Sequence, residues 1–326
     1  MPHATSRRVL LAAAAATLAA PRLGRAQDAA GRPIRLIVTF PPGGSGDMVA
    51  RVLAPGVGER LRQPIVVDNR PGAGGNIGMD FVAKAVPDGT VIGIGAAGAM
   101  SINGSMYASM PFDAQRDLAP VTMLASSPFI LVVQSRSEVR TLQDLLRVAR
   151  SRPDGLTIAH GGIGSTMHIT AELVNQLGQV KITPVPYRGV GPSLTAVVAG
   201  DTDLAVLDPP AALPLLQEGR LRALAVSSTQ RFAALPDVPT AAEAGLPGYE
   251  TTGWMGLVAP ARTPEPIIAR LNEAFTAVLR DPTTRERFAT LGMTPEPGTP
   301  EEFRRFIASE TAKMGQVVRS ANIRAE

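Results

Sequence analysis

A short β-branched run that breaks into glycines and then opens a helix occurs twice in this chain. That recurrence constrains the fold more than any other feature of the sequence. In residues 34–51, IRLIVTFPPGGSGDMVAR, the run Ile34, Leu36, Ile37, Val38 stops at Pro41-Pro42-Gly43-Gly44. Ser45 then reads as an N-cap, with Asp47 in the first helical turn and apolar residues at Val49, Leu53, Val57 and Leu61. Pro55-Gly56 inside that pattern predicts a kink or an early break. The device returns at Thr157-Ile158-Ala159, followed by His160-Gly161-Gly162-Ile163-Gly164-Ser165-Thr166-Met167-His168. Here Ser165 fits as N-cap and Gly178 as the helix stop. Such a turn bares backbone N–H groups at the positive end of a helix dipole, which suits a carboxylate or a phosphate. A single one is equally well a steric βα connection. Two of them, one in each half, can face each other across a cleft and hold an anion between them.

The segments around them keep an α/β rhythm. A second strand over 65–69 ends at Arg70-Pro71-Gly72-Ala73-Gly74-Gly75, a helix follows over 76–85, and a third strand over 90–94. This βαβαβ order predicts a parallel sheet with helices on its faces, and ligands bind such sheets at the carboxyl ends of the strands. Residues 120–133 form a long apolar segment. The rhythm then restarts, with helices expected over 142–150, 166–177, 192–199 and 211–218 between strands over 156–159, 182–186, 203–207 and 223–227. Pro236-Asp237-Val238-Pro239-Thr240 reads as a rigid connector before a strand over 254–258. Helices over 266–280, 282–291 and 300–318 have no strands of their own to cover, so they are expected to return to the first lobe. No exact internal repeat is evident.

The first 26 of the 326 residues look like an export segment. Arg7 and Arg8 precede an apolar run over 9–20, and Gly24-Arg25-Ala26 offers small residues for cleavage. The pattern fits a twin-arginine or a general secretory leader. The segment carries four arginines and no acid; without it, 28 basic residues stand against 28 acidic ones. The formal charge of +4 therefore gives no support for nucleic-acid binding, and no basic cluster with interleaved aromatics appears later. Cysteine is absent, which excludes disulfides, thiolate metal sites and cysteine nucleophiles.

Candidate chemistry is sparse. Gly93-Ile94-Gly95-Ala96-Ala97-Gly98 spells a dinucleotide fingerprint, but it sits inside and after the third strand, and residues 100–104 make a poor helix start. Outside the leader the only histidines are His160 and His168; they lack a third metal partner, and no nucleophile elbow surrounds Ser165. Each is expected to order the loop or helix start, with His168 the better placed to face a cleft. Arg188, in the turn Tyr187-Arg188-Gly189, is either a carboxylate partner or an ordinary surface arginine. Asp208, at a strand end before Pro209-Pro210, has a cleft role and a turn role open to it. Trp254 is expected in the core. No Walker lysine, paired carboxylates or metalloprotease motif appears.

Many short motifs in a fixed order resemble the substrate-binding proteins of tripartite tricarboxylate transporters, the Bug family of periplasmic receptors. They include Phe40-Pro41-Pro42-Gly43-Gly44 with Asp47 and Arg51, Asp68-Asn69-Arg70-Pro71-Gly72-Ala73-Gly74-Gly75-Asn76, and Pro87-Asp88-Gly89-Thr90. The Gly164-Ser165 turn with His168 and Glu172, Val185-Pro186-Tyr187-Arg188-Gly189, Pro236-Asp237-Val238-Pro239-Thr240 and Trp254-Met255-Gly256-Leu257 continue the series. The resemblance implies an α/β, two-lobed periplasmic binding protein of type II (Venus flytrap). Lobe 1 would span 27–125 plus 250–326, and lobe 2 would span 126–249. It implies capture of a small carboxylate and delivery to the membrane subunits of the transporter, by a periplasmic monomer without cofactor, metal or catalysis. The ligand contacts it implies are Phe40, Gly44, Ser45 and Asp47 from one lobe and Gly161, Gly164, Ser165, Thr166 and His168 from the other. Gly46 departs from the usual threonine before Asp47, and His160 from the usual serine. The alternatives are an enzyme on this scaffold using His168 or Asp47, or a sensor subunit for a signalling kinase.

Overall fold

Strand β1 (Ile34–Val38) buries Ile34, Leu36, Ile37 and Val38 alike, as a strand covered on both faces must. It lies between two parallel neighbours, β2 (Ile65–Asn69) and β3 (Val91–Ala96). The structure, a computed structural model, describes residues 31–153, 155–320 and 323–324. The expected export segment, residues 1–26, lies outside the described residues.

Two sheets divide the strands. Beside β3 the first sheet continues through β10 (Thr252–Pro260), β4 (Leu118–Pro128) and the two-residue β11 (Thr294–Pro295), all paired antiparallel. The second runs in the order β7 (Thr183–Pro186), β6 (Thr157–His160), β8 (Leu204–Leu207), β5 (Ile130–Gln134), β9 (Leu221–Val226). Each sheet therefore sets three parallel strands in the order second, first, third. Each then adds an antiparallel strand that has just arrived from the other sheet, β10 in one and β5 in the other. The chain repeats a topology that no residue-level repeat announces.

The apolar segment 120–133 is thus two strands in two sheets, separated by Phe129. Both crossings are tied at one point. The Phe129 amide donates to Ser227 Oγ at 2.8 Å, and that hydroxyl donates to the Thr251 carbonyl at 2.6 Å. All three residues are buried.

Helices α1 (Ser45–Leu61), α2 (Asn76–Ala83) and α3 (Asn103–Met106) belong to the first sheet. Helices α4 (Leu142–Ser151), α5 (Thr166–Gly178), α6 (Val190–Ala199) and α7 (Pro209–Gln217) dress the second. Helices α8 (Glu265–Arg280), α9 (Pro282–Thr290) and α10 (Pro300–Ser320) return to the first sheet, as expected. Leu271, Phe275 and Val278 of α8 share a core with β1 and α1, and Phe303 of α10 packs edge-on to Trp254.

Three local expectations fail for tertiary reasons. Helix α1 runs through Pro55-Gly56 to Leu61 without a break. Its apolar stripe is fully buried, and a Cβ at Gly56 would sit 3.2 Å from Val278, so the glycine lets α8 pack close. Ser45 is not the N-cap; Gly44 is, with no side-chain cap. The segment after the fingerprint-like glycines is helical after all: a wholly buried π-turn over Gly98–Ile102, with Ser101 Oγ donating to the Ala97 carbonyl, leads into α3.

Candidate functional site

The glycine-rich turns of both sheets open onto one cavity of about 650 Å³, at the carboxyl ends of the parallel strands. The β1–α1 and β2–α2 turns line it from one lobe. The β6–α5 and β7–α6 turns and Asp208 line it from the other, and Ser127, Phe129 and Gly253 contribute at the crossings.

The lobes meet backbone to backbone. A Cβ on Gly74 would fall 2.9 Å from the Gly164 carbonyl, and one on Gly98 would run into that same carbonyl. A Cβ on Gly189 would sit 2.9 Å from the Pro41 ring, so there backbone meets a side chain. The first glycine turn therefore faces the β7–α6 turn, and the second faces the β2–α2 turn, around one shared space.

At the start of α1 two of the amides are already taken. Gly44 N–H donates to the Pro41 carbonyl at 3.0 Å, and Gly43 N–H donates to Asp47 Oδ2 at 2.9 Å. The amides of Ser45, Gly46 and Asp47 have no acceptor among the described residues, as the first turn of a helix leaves them. Asp47 also accepts from Arg51 at 2.8 Å and from Asn69 at 3.0 Å. Burial by itself would raise its carboxyl, but these three donors hold it below the usual range. The Gly46 departure has a physical reason: a Cβ there would collide with the Phe40 ring. An aromatic ring takes the room of the expected hydroxyl.

Helix α5 starts differently. Ser165 is its N-cap, accepting from the His168 amide at 3.3 Å, and its own hydroxyl donates to the Gly162 carbonyl at 2.7 Å. The amides of Thr166 and Met167 are left without an acceptor among the described residues. Behind this turn the His160 and His168 rings stack, with centroids 4.7 Å apart. The eight-residue spacing does not keep them apart, because His160 ends a strand and the chain doubles back. His160 Nδ1 accepts from the Gly162 amide at 3.3 Å, so the residue does order the loop. Burial, with the neighbouring His168, pushes His160 down to about 3; burial lowers His168 as well. Both are neutral at physiological pH.

Of the residues the family resemblance implies as contacts, Phe40, Gly44, Ser45, Gly161, Ser165 and Thr166 line the cavity. Asp47, Gly164 and His168 stand behind the lining. Asp47 is turned to Gly43, Asn69 and Arg51; Gly164 is packed under Asn103; His168 is stacked on His160. Arg188 lines the cavity, is exposed, and joins no ion pair among the described residues. Trp254 is both core and lining: it is 1 % exposed and its indole N–H donates to Glu310. Asp208 holds both of its open roles. Its Oδ1 caps α7 by accepting from the Ala211 amide at 3.3 Å, and the residue lines the cavity. Gly72, Ala73 and Gly74 belong to a turn whose glycine content was the available signal. Tyr107, Ser127 and Phe129 arrive from the post-β3 helix and the crossing, where no local motif marks them. No cluster of three metal-ligating side chains exists among the described residues.

The family model described as the tripartite tricarboxylate transporter family receptor matches residues 49–323. The chain belongs to that family. BugT of Bordetella pertussis is 37% identical over 289 residues, covering 88% of this chain and 89% of BugT. Among solved structures, Rpa4515 of R. palustris with adipate is 37% identical with a TM-score of 0.87, over 90% of this chain and 98% of that one. MatC of Rhodopseudomonas palustris with bound malate is 34% identical with a TM-score of 0.84, over 88% and 99%. The family is one of solute-binding receptors with two-lobed periplasmic relatives, and this chain has their fold.

Proposed function

We propose that this protein is an exported, monomeric receptor that captures a small carboxylate between its lobes and delivers it to the membrane subunits of a tripartite transporter. The observation that carries the reading is the pair of helix starts, α1 and α5, with unpaired amides at the rim of one cavity. Charge-assisted hydrogen bonds from such amides grip a carboxylate without requiring a lysine or an arginine. The adipate and malate held by two relatives are acids of the expected kind. We take residues 27–125 with 250–326 as one lobe and 126–249 as the other, closing by hinge motion at the Phe129–Ser227–Thr251 knot.

The lining narrows the ligand class. Phe40, Tyr107, Phe129, Trp254 and Met255 give the walls an apolar, aromatic character, and among the described residues Arg188 and Asp208 are the only charged ones in the lining. Such a cavity suits an acid with an apolar body better than a densely charged tricarboxylate. The two residues on which the sequence would rest an enzyme, Asp47 and His168, do not line the cavity.

A thermal-shift screen of aliphatic and aromatic acids beside neutral sugars tests the reading. An acid at 100 times its dissociation constant adds about 2.7 kcal/mol, and no new product forms on incubation. Stabilisation by sugars alone, or conversion of a bound acid, overturns it.

A further inference from the structure

The carboxyl of Asp208 is a buried charged group of the cleft that keeps one oxygen unpartnered. The residue is 3 % exposed, it lines the cavity, and its Oδ2 is buried without a hydrogen-bond partner. The local sequence explains the deficit. Asp208 stands at the start of α7, where the first backbone amides of a helix ordinarily solvate a carboxylate. Residues 209 and 210 are both proline and have no N–H to give. Only Ala211 donates, and it donates to Oδ1. Ser45, at the start of α1 in the opposite lobe, is the neighbour that favours the charged form, yet it leaves Oδ2 without a hydrogen bond. Asp208 therefore sits beside one of the two helix starts at which a ligand carboxylate would bind.

An acceptor held this way asks for a donor. A ligand that brings only carboxylate oxygens to the start of α1 sets like charges against each other across Ser45. A ligand with an O–H or N–H next to its carboxylate donates that hydrogen to Oδ2 while its carboxylate takes the α1 amides. We propose that Asp208 makes the cleft select acids bearing a hydroxyl or amino group beside the bound carboxylate over the same acids without it. The inference rests on the reading of the cleft as a carboxylate site. Asp208 would be a specificity residue, touching the ligand but not needed to hold the fold of the anion-binding turns. Burial raises the Asp208 carboxyl, against the Ser45 hydroxyl and the Ala211 amide, as expected of a charge awaiting a partner.

Three matched trios decide the matter by calorimetry at pH 7.5: succinate, malate and aspartate; glutarate, 2-hydroxyglutarate and glutamate; 3-phenylpropionate, 3-phenyllactate and phenylalanine. In at least one trio the hydroxy or amino acid is expected to bind about tenfold or more tightly than its bare parent, the scale at which a buried polar group left unpaired discriminates ligands. Asp208→Asn and Asp208→Ser keep an N-cap for α7. Both are expected to collapse that ratio to within about threefold, with an unchanged circular dichroism spectrum as the control for folding. Equal binding of parent and substituted acids by the unmodified protein overturns the inference while leaving the carboxylate reading intact. So does a preference for the bare acid, which would mark Asp208 as a protonated donor. A ratio that survives both substitutions overturns it too. If none of the nine acids binds, the carboxylate reading itself falls and takes the inference with it.

Discussion

At the start of α1 the turn is tied by charge: Asp47 collects the Gly43 amide, Asn69 and Arg51. At the start of α5 the same work falls to uncharged groups, a serine cap and a stacked pair of neutral histidines that takes the Gly162 amide. Both arrangements leave the next amides of the helix free. The comparison teaches that a glycine-rich helix start is open to an anion according to which N–H groups stay unpaired, and that very different side chains can do the tying. It also predicts that the two turns respond differently to substitution and to acid.

The sharpest way to break the pair is to keep them apart. Gly98→Ala adds a methyl where the Gly164 carbonyl now lies, so the lobes should fail to close and affinity for a bound acid should fall on the order of 100-fold, read by calorimetry. Asp47→Ala comes next. It strands the Gly43 amide and Asn69, and unfolding in urea is expected to show a loss of about 2 kcal/mol. Little of that comes from Arg51, which is 59% exposed.

Acid separates the turns. His160 takes its proton near 6.5 when unfolded and only at about 3 when folded. The unfolded chain therefore binds protons first, and stability is lost progressively as pH falls from 6.5 towards 3. Asp47 is shifted down from 3.8, so its contribution is present above that value and lost only as pH falls through its lower folded value. Between pH 6.5 and 5 the protein should lose about 1–2 kcal/mol, and His160→Gln should flatten that slope while Asp47→Asn should not. Ser165→Ala is expected to cost about 1 kcal/mol, the usual value of a cap. The smallest effect belongs to Arg188→Gln, which should leave melting unchanged and weaken an acid by a few-fold at low salt, less at high salt.

Much of this was legible in the sequence because it is local. Short apolar runs bounded by glycine turns, and the helical segments between them, place β1, β2, α4 and α5 within a residue or two. The repeated strand–glycine–helix device identifies both halves of the cleft. What stayed hidden depends on distant partners. Nothing within residues 120–133 says that Phe129 separates two sheets, because both strands are equally apolar and the break is a crossing and not a turn. Pro55 reads as a helix breaker only until Val278 is known to pack on Gly56. Asp47 and His168 carry the composition of ligand contacts, yet the neighbours that turn them inward, Asn69 and His160, are visible only in three dimensions.

The main-chain meeting of Gly74, Gly98 and Gly164 has a consequence for how such a receptor diversifies. The three glycines at this contact present no side chains of their own, so the character of the cavity walls is set by other residues. On the proposed reading, residues on the walls can be exchanged for new guests while this closing contact stays the same.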